Sequence, residues 1–584
     1  MKIKLNPYRY PTALLVAVML SSCVSNETTT QQDQNYLRGE LPVQEGMVVF
    51  NQNCASCHNF NATEIGPSLA GITSVKDKDW IKRFIQNSQK MIQEGDERAL
   101  AQFEKFGIYM PSFEQLTAEE LENLLAFIHK FSEGEKKNTS NRKGGLLNPI
   151  AAAIPTSNFN LVIEEFTTLP ASSATAPDTR INTLRAIQMG GKERLFIADL
   201  RGGLYEIVDQ KPQLYLNLKE QLTDFIDAPG FGSGLGSFAF HPDFESNGLL
   251  YTTHTEPSNT KTADYALPEG AKSRLQWILL EWKIDNPNLA VFEGSRRELL
   301  RVDMVTQIHG FQDLTFNPNA QPNSEDYGML YLGIGDGGAA LAGHPEICGT
   351  TQSIWGSVVR IDPLGNNSLN GNYGLPKDNP FQGEEGLGEI YCYGFRNPHR
   401  IAWEIGGSEK MLISNIGQHS VEEVNLGSKG AHYGWPFREG SFVFDVNANP
   451  ELVYTPSSKD SNEVYVNPVI QYDHDEGNAV SGGFVYKLPD IPLLQNHYLF
   501  GDIPRGTLFL TPLAEIEKDQ TASIQKVGLE LNAESTSLLN IRPNERVDLR
   551  FGQDSKGKLY IFTKSNGKVY RITDFKASSN ASGD

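Results

Sequence analysis

The sequence predicts a two-domain chain, a small all-α domain followed by an all-β domain built as a six-bladed propeller, and three observations predict it. The first is length. At 584 residues the chain exceeds one ordinary core, and 39% apolar residues with 53 glycines describe a globular, turn-rich protein. The second is a change of period: apolar residues near the N-terminus recur at helical spacing, whereas beyond Asn158 they form short runs broken by Gly, Asn, Asp and Pro. The third is a repeat. A strand of the form apolar, Tyr or Phe, apolar returns at Arg194–Asp199, Leu249–Thr253, Met329–Gly333, Lys410–Ser414, His497–Asp502 and Lys558–Phe562. Its irregular spacing of roughly 54 to 88 residues suits sheet units with long insertions better than a tight solenoid. Six like units predict radial closure, which leaves only short edges, and the strand near Phe159–Phe166 is expected to complete the last unit. The alternative, a pair of β-sandwiches, does not account for the recurrence.

Charge and hydropathy narrow the partners. A net charge of −20 argues against nucleic acid, which requires a basic face. No run of 18 apolar residues is present, so no helix is expected to span a membrane. The N-terminus carries a membrane address all the same: Lys2, Lys4 and Arg9 precede the apolar segment Ala13–Leu20, and Leu20-Ser21-Ser22-Cys23 follows. This resembles a bacterial lipoprotein signal, which implies removal of residues 1–22 and a lipid anchor on Cys23. A plain secretory signal with an incidental cysteine is the alternative. Either way the chain is expected to be exported, and the favoured reading is a periplasmic protein held at the membrane by lipid. Residues 24–38 are polar and read as a tether. Cys348 and Cys392 remain after the other cysteines are assigned, and in an oxidising compartment their pairing is open.

Cys54-Ala55-Ser56-Cys57-His58 is a C-x-x-C-H, the attachment site of haem c. Cys54 and Cys57 each add to a haem vinyl group, and His58 then lies beneath the ring as an axial iron ligand. Zinc fits poorly, because His58 directly follows Cys57 and no second cluster completes four ligands. A Cys54–Cys57 disulfide is the bland alternative. Upstream, Gly46 and Phe50 share a face with Cys54 on a helix-like run over Val43–Asn53. Downstream lie Gly66-Pro67-Ser68-Leu69-Ala70-Gly71 and then Met110 in Tyr109-Met110-Pro111. Thr117-Ala118-Glu119-Glu120 caps a closing helix over Leu121–Phe131, with Leu121, Leu124, Leu125 and Ile128 on one side. The set resembles a class I cytochrome c over residues 39–133. That resemblance implies Met110 as the sixth ligand, a His/Met pair suited to electron transfer; otherwise Met110 is an ordinary core residue.

Residues 134–158 read as a linker, residues 159–575 as the β domain and 576–584 as a tail. Within the β domain stand Phe238-Ala239-Phe240-His241-Pro242-Asp243-Phe244, Gly335-Asp336-Gly337-Gly338, Val359-Arg360-Ile361-Asp362-Pro363, Tyr393-Gly394-Phe395-Arg396-Asn397-Pro398, Glu422-Glu423-Val424-Asn425 and Tyr433-Gly434-Trp435-Pro436. Together they resemble the soluble PQQ-dependent sugar dehydrogenases, the glucose/sorbosone dehydrogenase family, over about residues 180–575. The resemblance implies a six-bladed propeller that holds pyrroloquinoline quinone (PQQ) and calcium at one end. It implies His309 as the base that takes the substrate hydroxyl proton, a role suited to imidazole. It implies Arg396, Asn397 and Arg546 around PQQ, where a guanidinium fork matches carboxylate. Gly417 and Gln418 are implied as backbone-carbonyl ligands of calcium. Three departures stand out: Pro504 beside Arg505 where a lysine is usual, a single clear arginine at Arg546 where two are usual, and Gly310-Phe311 after His309. The expected function is oxidation of a sugar or related alcohol, with electrons passed to the fused haem and on to a downstream acceptor of the respiratory chain. The alternative is a non-catalytic propeller that binds a carbohydrate or protein partner, with the cytochrome as a separate carrier.

Overall fold

A computed structural model describes residues 36–578 apart from 38, 55–57, 59, 61–65, 107–108, 133–141, 175–176, 229–231, 382, 458–459, 461–463, 542–546 and 565. The roles expected of Cys23, Cys57 and Arg546 therefore lie outside the described residues. Among the described residues no helix is long and apolar enough to cross a membrane.

The N-terminal domain holds helices α1 (Glu40–Asn53), α2 (Ile72–Val75), α3 (Lys78–Gln93), α4 (Glu97–Phe106) and α5 (Ala118–Ser132). α1 packs against α5, and Gly46 sits at the contact. A Cβ there would stand 1.9 Å from Asn123 O, so only glycine lets the backbones meet. One turn on, Phe50 packs against Phe127 and Phe60, with ring centroids 5.0 and 5.4 Å away. α5 opens in the expected capping box: Thr117 N donates to Glu120 Oε2 at 2.9 Å and Glu120 N to Thr117 Oγ1 at 3.2 Å. Such a cap is worth about 1 kcal/mol. α3 is capped by Asp77, which accepts from Trp80 N at 2.8 Å, and it buries Trp80, Ile81, Ile85, Met91 and Ile92 at helical spacing.

The C-terminal domain is rich in sheet, and its antiparallel strands fall into six sets of four. In chain order the first is Ile181–Met189, Lys192–Asp199, Gly203–Val208 and Lys211–Asn217. The second is Ser237–Phe240, Leu249–Pro257, Leu275–Ile284 and Gly294–Met304. The third is Phe311–Phe316, Leu330–Ile334, Ser357–Ile361 and Ile390–Tyr393. The fourth is Pro398–Trp403, Met411–Asn415, Val421–Leu426 and Ile470–Asp473. The fifth is Val480–Tyr486, His497–Asp502, Leu508–Pro512 and Gln525–Leu531. The sixth is Leu549–Gln553, Leu559–Thr563, Lys568–Ala577 and Thr156–Thr168. Each strand of the sequence repeat is the second strand of one set. The opening strand Thr156–Thr168 runs antiparallel to Lys568–Ala577, with Leu161 opposite Phe575, so the start of the domain joins its end.

The first strands of the six sets touch in order, and that of the sixth returns to that of the first. Among the described residues no single sheet closes on itself. Sets five, six and one join edge to edge, through the parallel pairing of Thr156–Thr168 with Gln525–Leu531 and a bridge between Arg185 and Gln553, and with the short strand Glu534–Thr536 beside Gln525–Leu531 they make one 13-stranded sheet. A small three-stranded sheet, Arg438–Glu439, Phe442–Phe444 and Val453–Tyr454, is inserted between the third and fourth strands of set four.

Residues 142–155, expected as linker, lie along this domain. Leu146 bridges Val453, Ile150 N donates to Asp473 Oδ2 at 2.8 Å, and Ile154 N to Glu476 Oε1 at 2.7 Å. Cys348 and Cys392 are unpaired thiols in separate apolar clusters, and burial pushes both upward in pKa.

Candidate active site at the domain junction

On the helical side, the end of α1 delivers Cys54, and His58 N–H donates to Cys54 O at 2.9 Å. His58 Nδ1 lies 2.9 Å from Pro67 O. Donating there leaves Nε2 with the lone pair a metal would take. Gly66 makes room for the ring: a Cβ on it would come within 2.3 Å of His58 Cε1. Met110 lines the same cavity as Cys54 and His58, and its carbonyl is tied to α3 by Ser88 Oγ at 2.8 Å. The walls between them are apolar, from Trp80, Ile81, Phe84, Ile85, Phe103 and Ile128. A thiol, an imidazole held through Nδ1 and a thioether around an apolar cavity are a fit to haem c.

On the sheet side, four connections supply one residue each. His309 precedes the first strand of set three and holds a left-handed φ of 55°, uncommon for a residue with a Cβ. The loop Gly335–Gly338 holds it there. Gly337 N donates to His309 O at 3.2 Å, and a Cβ on Gly335 would stand 2.3 Å from that oxygen. His309 Nδ1 meets Asp336 Oδ1 at 2.8 Å. Asp336 is itself anchored, accepting from Gly338 N at 2.7 Å and from Trp435 Nε1 at 3.0 Å. Its own N–H donates to Arg396 O at 2.8 Å. Asp336 and Trp435 lie in the Gly335–Gly338 and Tyr433–Pro436 blocks, but their neighbours in sequence carry no signal for these contacts.

The electrostatics follow from this packing. Burial first, then the Arg396 guanidinium, hold His309 down at about 4 against the opposing pull of Asp336. Burial alone would raise Asp336, but the hydrogen bond from His309, the Arg396 charge and the Gly338 N–H bring it below the usual carboxylate range. His309 is thus a neutral imidazole with its proton on Nδ1 and its lone pair on Nε2. Arg396 Nε donates to Gln418 Oε1 at 2.7 Å, and its guanidinium stands 5.9 Å from the Trp435 ring centroid. Asn397 Oδ1 and Gln418 Nε2 are buried without a hydrogen-bond partner. A charged fork with one unmet acceptor and one unmet donor beside it fits a polar ring carrying carboxylates and carbonyls.

The loop of Gly417 and Gln418 is organised by a residue not foreseen from the sequence. Glu439, from the inserted sheet, accepts at Oε1 from the N–H groups of Gln418, His419, Ser420 and Val421 at 2.7 to 3.0 Å. Glu439 Oε2 and Glu423 Oε2 are buried without a hydrogen-bond partner. Burial, with the charges of Glu439 and Glu422, raises Glu423 to about 7 despite a hydrogen bond from Asn415. Among the described residues no three His, Cys, Asp or Glu side chains gather as a metal cluster. Calcium here would rest on backbone carbonyls and these orphaned carboxylate oxygens. Arg505, beside Pro504, is turned away to the carbonyls of His474 and Asp475.

The two sides share one cavity. Cys54, His58 and Met110 line it with His309, Asp336, Arg396 and Gln418. Glu120 of α5 faces Lys272 and Arg274 of the sheet domain, each at 3.8 Å.

A haem-binding helical crevice that opens onto a histidine-arginine site of a sheet domain defines a class of two-domain redox protein. Family models agree with the division: cytochrome c matches residues 43–132 and glucose/sorbosone dehydrogenase residues 183–571. The chain belongs to the glucose/sorbosone dehydrogenase family, with a cytochrome c domain fused ahead of it. It is similar to the HIPL2 protein of Arabidopsis thaliana, 26% identical over 65% of this chain and 60% of that one. It is similar to the Hedgehog-interacting protein of Mus musculus, 26% identical over 66% and 50%. Quinoprotein glucose dehydrogenase B of Acinetobacter calcoaceticus is 29% identical over 37% and 42%. The chain spans between half and three-fifths of the length of the first two relatives.

Proposed function

We propose that the protein is a quinohaemoprotein oxidoreductase that oxidises a sugar or related alcohol with PQQ and calcium and passes the electrons to its own haem c. The observation that carries this reading is the shared cavity: the haem-ligand candidates Cys54, His58 and Met110 face His309 and Arg396 across one space. The family membership and the similarity to a quinoprotein glucose dehydrogenase support it. We read the six strand sets as propeller blades, a reading supported by the order in which their first strands touch.

In this mechanism Cys54 and Cys57 would hold haem covalently and His58 and Met110 would serve its iron. Arg396, Asn397, Gln418 and Arg546 would hold PQQ, and the Gly417–Gln418 loop would hold calcium. PQQ supplies a two-electron acceptor and haem a one-electron carrier. His309 Nε2 takes the substrate hydroxyl proton as the adjacent C–H bond gives up its electron pair, and Asp336 stabilises the imidazolium that results. Because the acceptor is tethered, two successive transfers need no diffusional encounter. Export and a lipid anchor at Cys23 place the protein at the periplasmic face of a membrane, with a respiratory-chain acceptor downstream. Protein reconstituted with PQQ and calcium is expected to reduce its haem when a panel of aldoses and alcohols is added. A haem that stays oxidised with the whole panel contradicts the reading. The similarity to Hedgehog-interacting protein favours a second reading, a sheet domain that binds a partner without redox chemistry. The absence of heat and spectral change on titration with micromolar PQQ would select it.

A further inference from the structure

The shared cavity poses a problem of access. His309 faces a space whose opposite wall is the cytochrome domain, so a substrate needs a way in that passes between the domains. A groove at the junction supplies one. It is lined by Gln89, Tyr109, Ser112 and Gln115 from the cytochrome domain and by Ala228, Arg274 and Gln307 from the sheet domain, among others. Met110, Pro111 and Gln307 line both this groove and the shared cavity, so the groove leads to it. Its polar groups are three carboxamides, a serine hydroxyl, a tyrosine and an arginine, and none of these is a carboxylate. Carboxamides both donate and accept, which matches vicinal hydroxyls, and an aromatic ring offers a face to the C–H side of a sugar. Tyr109 is held in place by stacking on Phe103 at 4.3 Å.

We infer that this groove is an entry subsite for a small hydroxyl-rich substrate, an aldose or polyol, built jointly by the two domains. The inference rests on the proposed function for the fate of that substrate, but not for its binding. The subsite exists only while the cytochrome is docked, which Glu120 promotes by facing Lys272 and Arg274.

Ala228 and Gln115 are exposed, lie on opposite walls and belong to neither set of cofactor residues. Tryptophan at either, A228W or Q115W, narrows the groove, and Ala228→Ser serves as the conservative control. Calorimetry on the full chain at millimolar D-glucose, D-xylose and D-sorbitol is expected to show binding that both tryptophan variants weaken at least tenfold and the serine variant retains. Haem reduction by dithionite should be the same in all. Binding unaffected by either tryptophan, or absent with all three probes, overturns the subsite. Where a probe is oxidised, kcat/KM should fall with the binding; oxidation within twofold in both tryptophan variants overturns the route while leaving the oxidoreductase reading intact. Groove-dependent binding without any oxidation upholds the subsite and removes the oxidoreductase reading.

Discussion

In the helical domain Cys54 and His58 stand four residues apart at the end of α1, whereas in the sheet domain His309, Asp336, Arg396 and Gln418 come from separate connections scattered along sets three and four. The first site is local in Cys54 and His58, with Met110 alone brought from a distance and tied to α3 by Ser88. The second is assembled, and its residues meet only because loops of neighbouring strand sets converge. The comparison teaches where each site is fragile. A local site fails through its immediate neighbours, such as Gly66 under the His58 ring, while an assembled site fails through distant anchors such as Trp435 and Glu439.

The largest effect is expected at His309. His309→Ala should lower substrate-driven haem reduction by roughly 100- to 10,000-fold, the usual contribution of a positioned base, with the haem spectrum and PQQ affinity nearly unchanged. Stopped-flow absorbance beside a PQQ titration measures both, and a matching loss of PQQ affinity would mean that His309 is structural. Arg396→Ala should reverse this pattern, weakening PQQ binding about tenfold or more because a cofactor carboxylate loses its charged partner. Its effect on haem attachment should be nil, which sets the assembled site apart from the local one.

The same contrast was legible in the sequence to different depths. The C-x-x-C-H, Gly46 with Phe50, and the Thr117–Glu120 box are each read from a short run of neighbouring residues, although Gly46 and Phe50 find their partners Asn123 and Phe127 at the far end of the domain. The repeat strands announced their sets for a similar reason: the apolar run around a Tyr within Leu249–Thr253 or Lys558–Phe562 is a property of the segment alone, and the structure buries both runs. Helices α3 and α4 went unread, although Asp77 before Trp80, Ile81 and Ile85 is a start signal followed by helical spacing. Asp336, Trp435 and Glu439 had no local signal for their tasks, since a buried carboxylate is assigned by what it touches. The docking of Glu120 near Lys272 and Arg274 was beyond reach for the same reason, for it joins residues on two domains.

A smaller effect concerns pH. His309 titrates near 4 in the folded, PQQ-free protein and at its ordinary 6.5 once unfolded, so between these values the unfolded chain binds more protons. Stability from this group is therefore fully present above about 6.5 and is lost as pH falls toward about 4. Urea titrations from pH 7 to pH 4 should show a decline that His309→Gln flattens; an unchanged slope would place the His309 pKa near its ordinary value. The smallest effect is expected at the capping box, where Thr117→Ala should cost about 1 kcal/mol, read as a modest shift in the urea midpoint of the helical domain. Haem-linked absorbance follows that domain and sheet fluorescence the other, so a shift in both would mean that the domains unfold as one.

In the proposed reaction a substrate oxidised at His309 delivers its electrons to the haem of the same chain. The direct test is stopped-flow haem reduction by a saturating substrate in protein loaded with PQQ and calcium, repeated over a hundredfold range of protein concentration. Transfer across the shared cavity predicts a first-order rate that does not change over that range. A rate that rises in proportion to protein concentration would mean that electrons pass between molecules, and the facing arrangement of His58 and His309 would then have no part in the reaction.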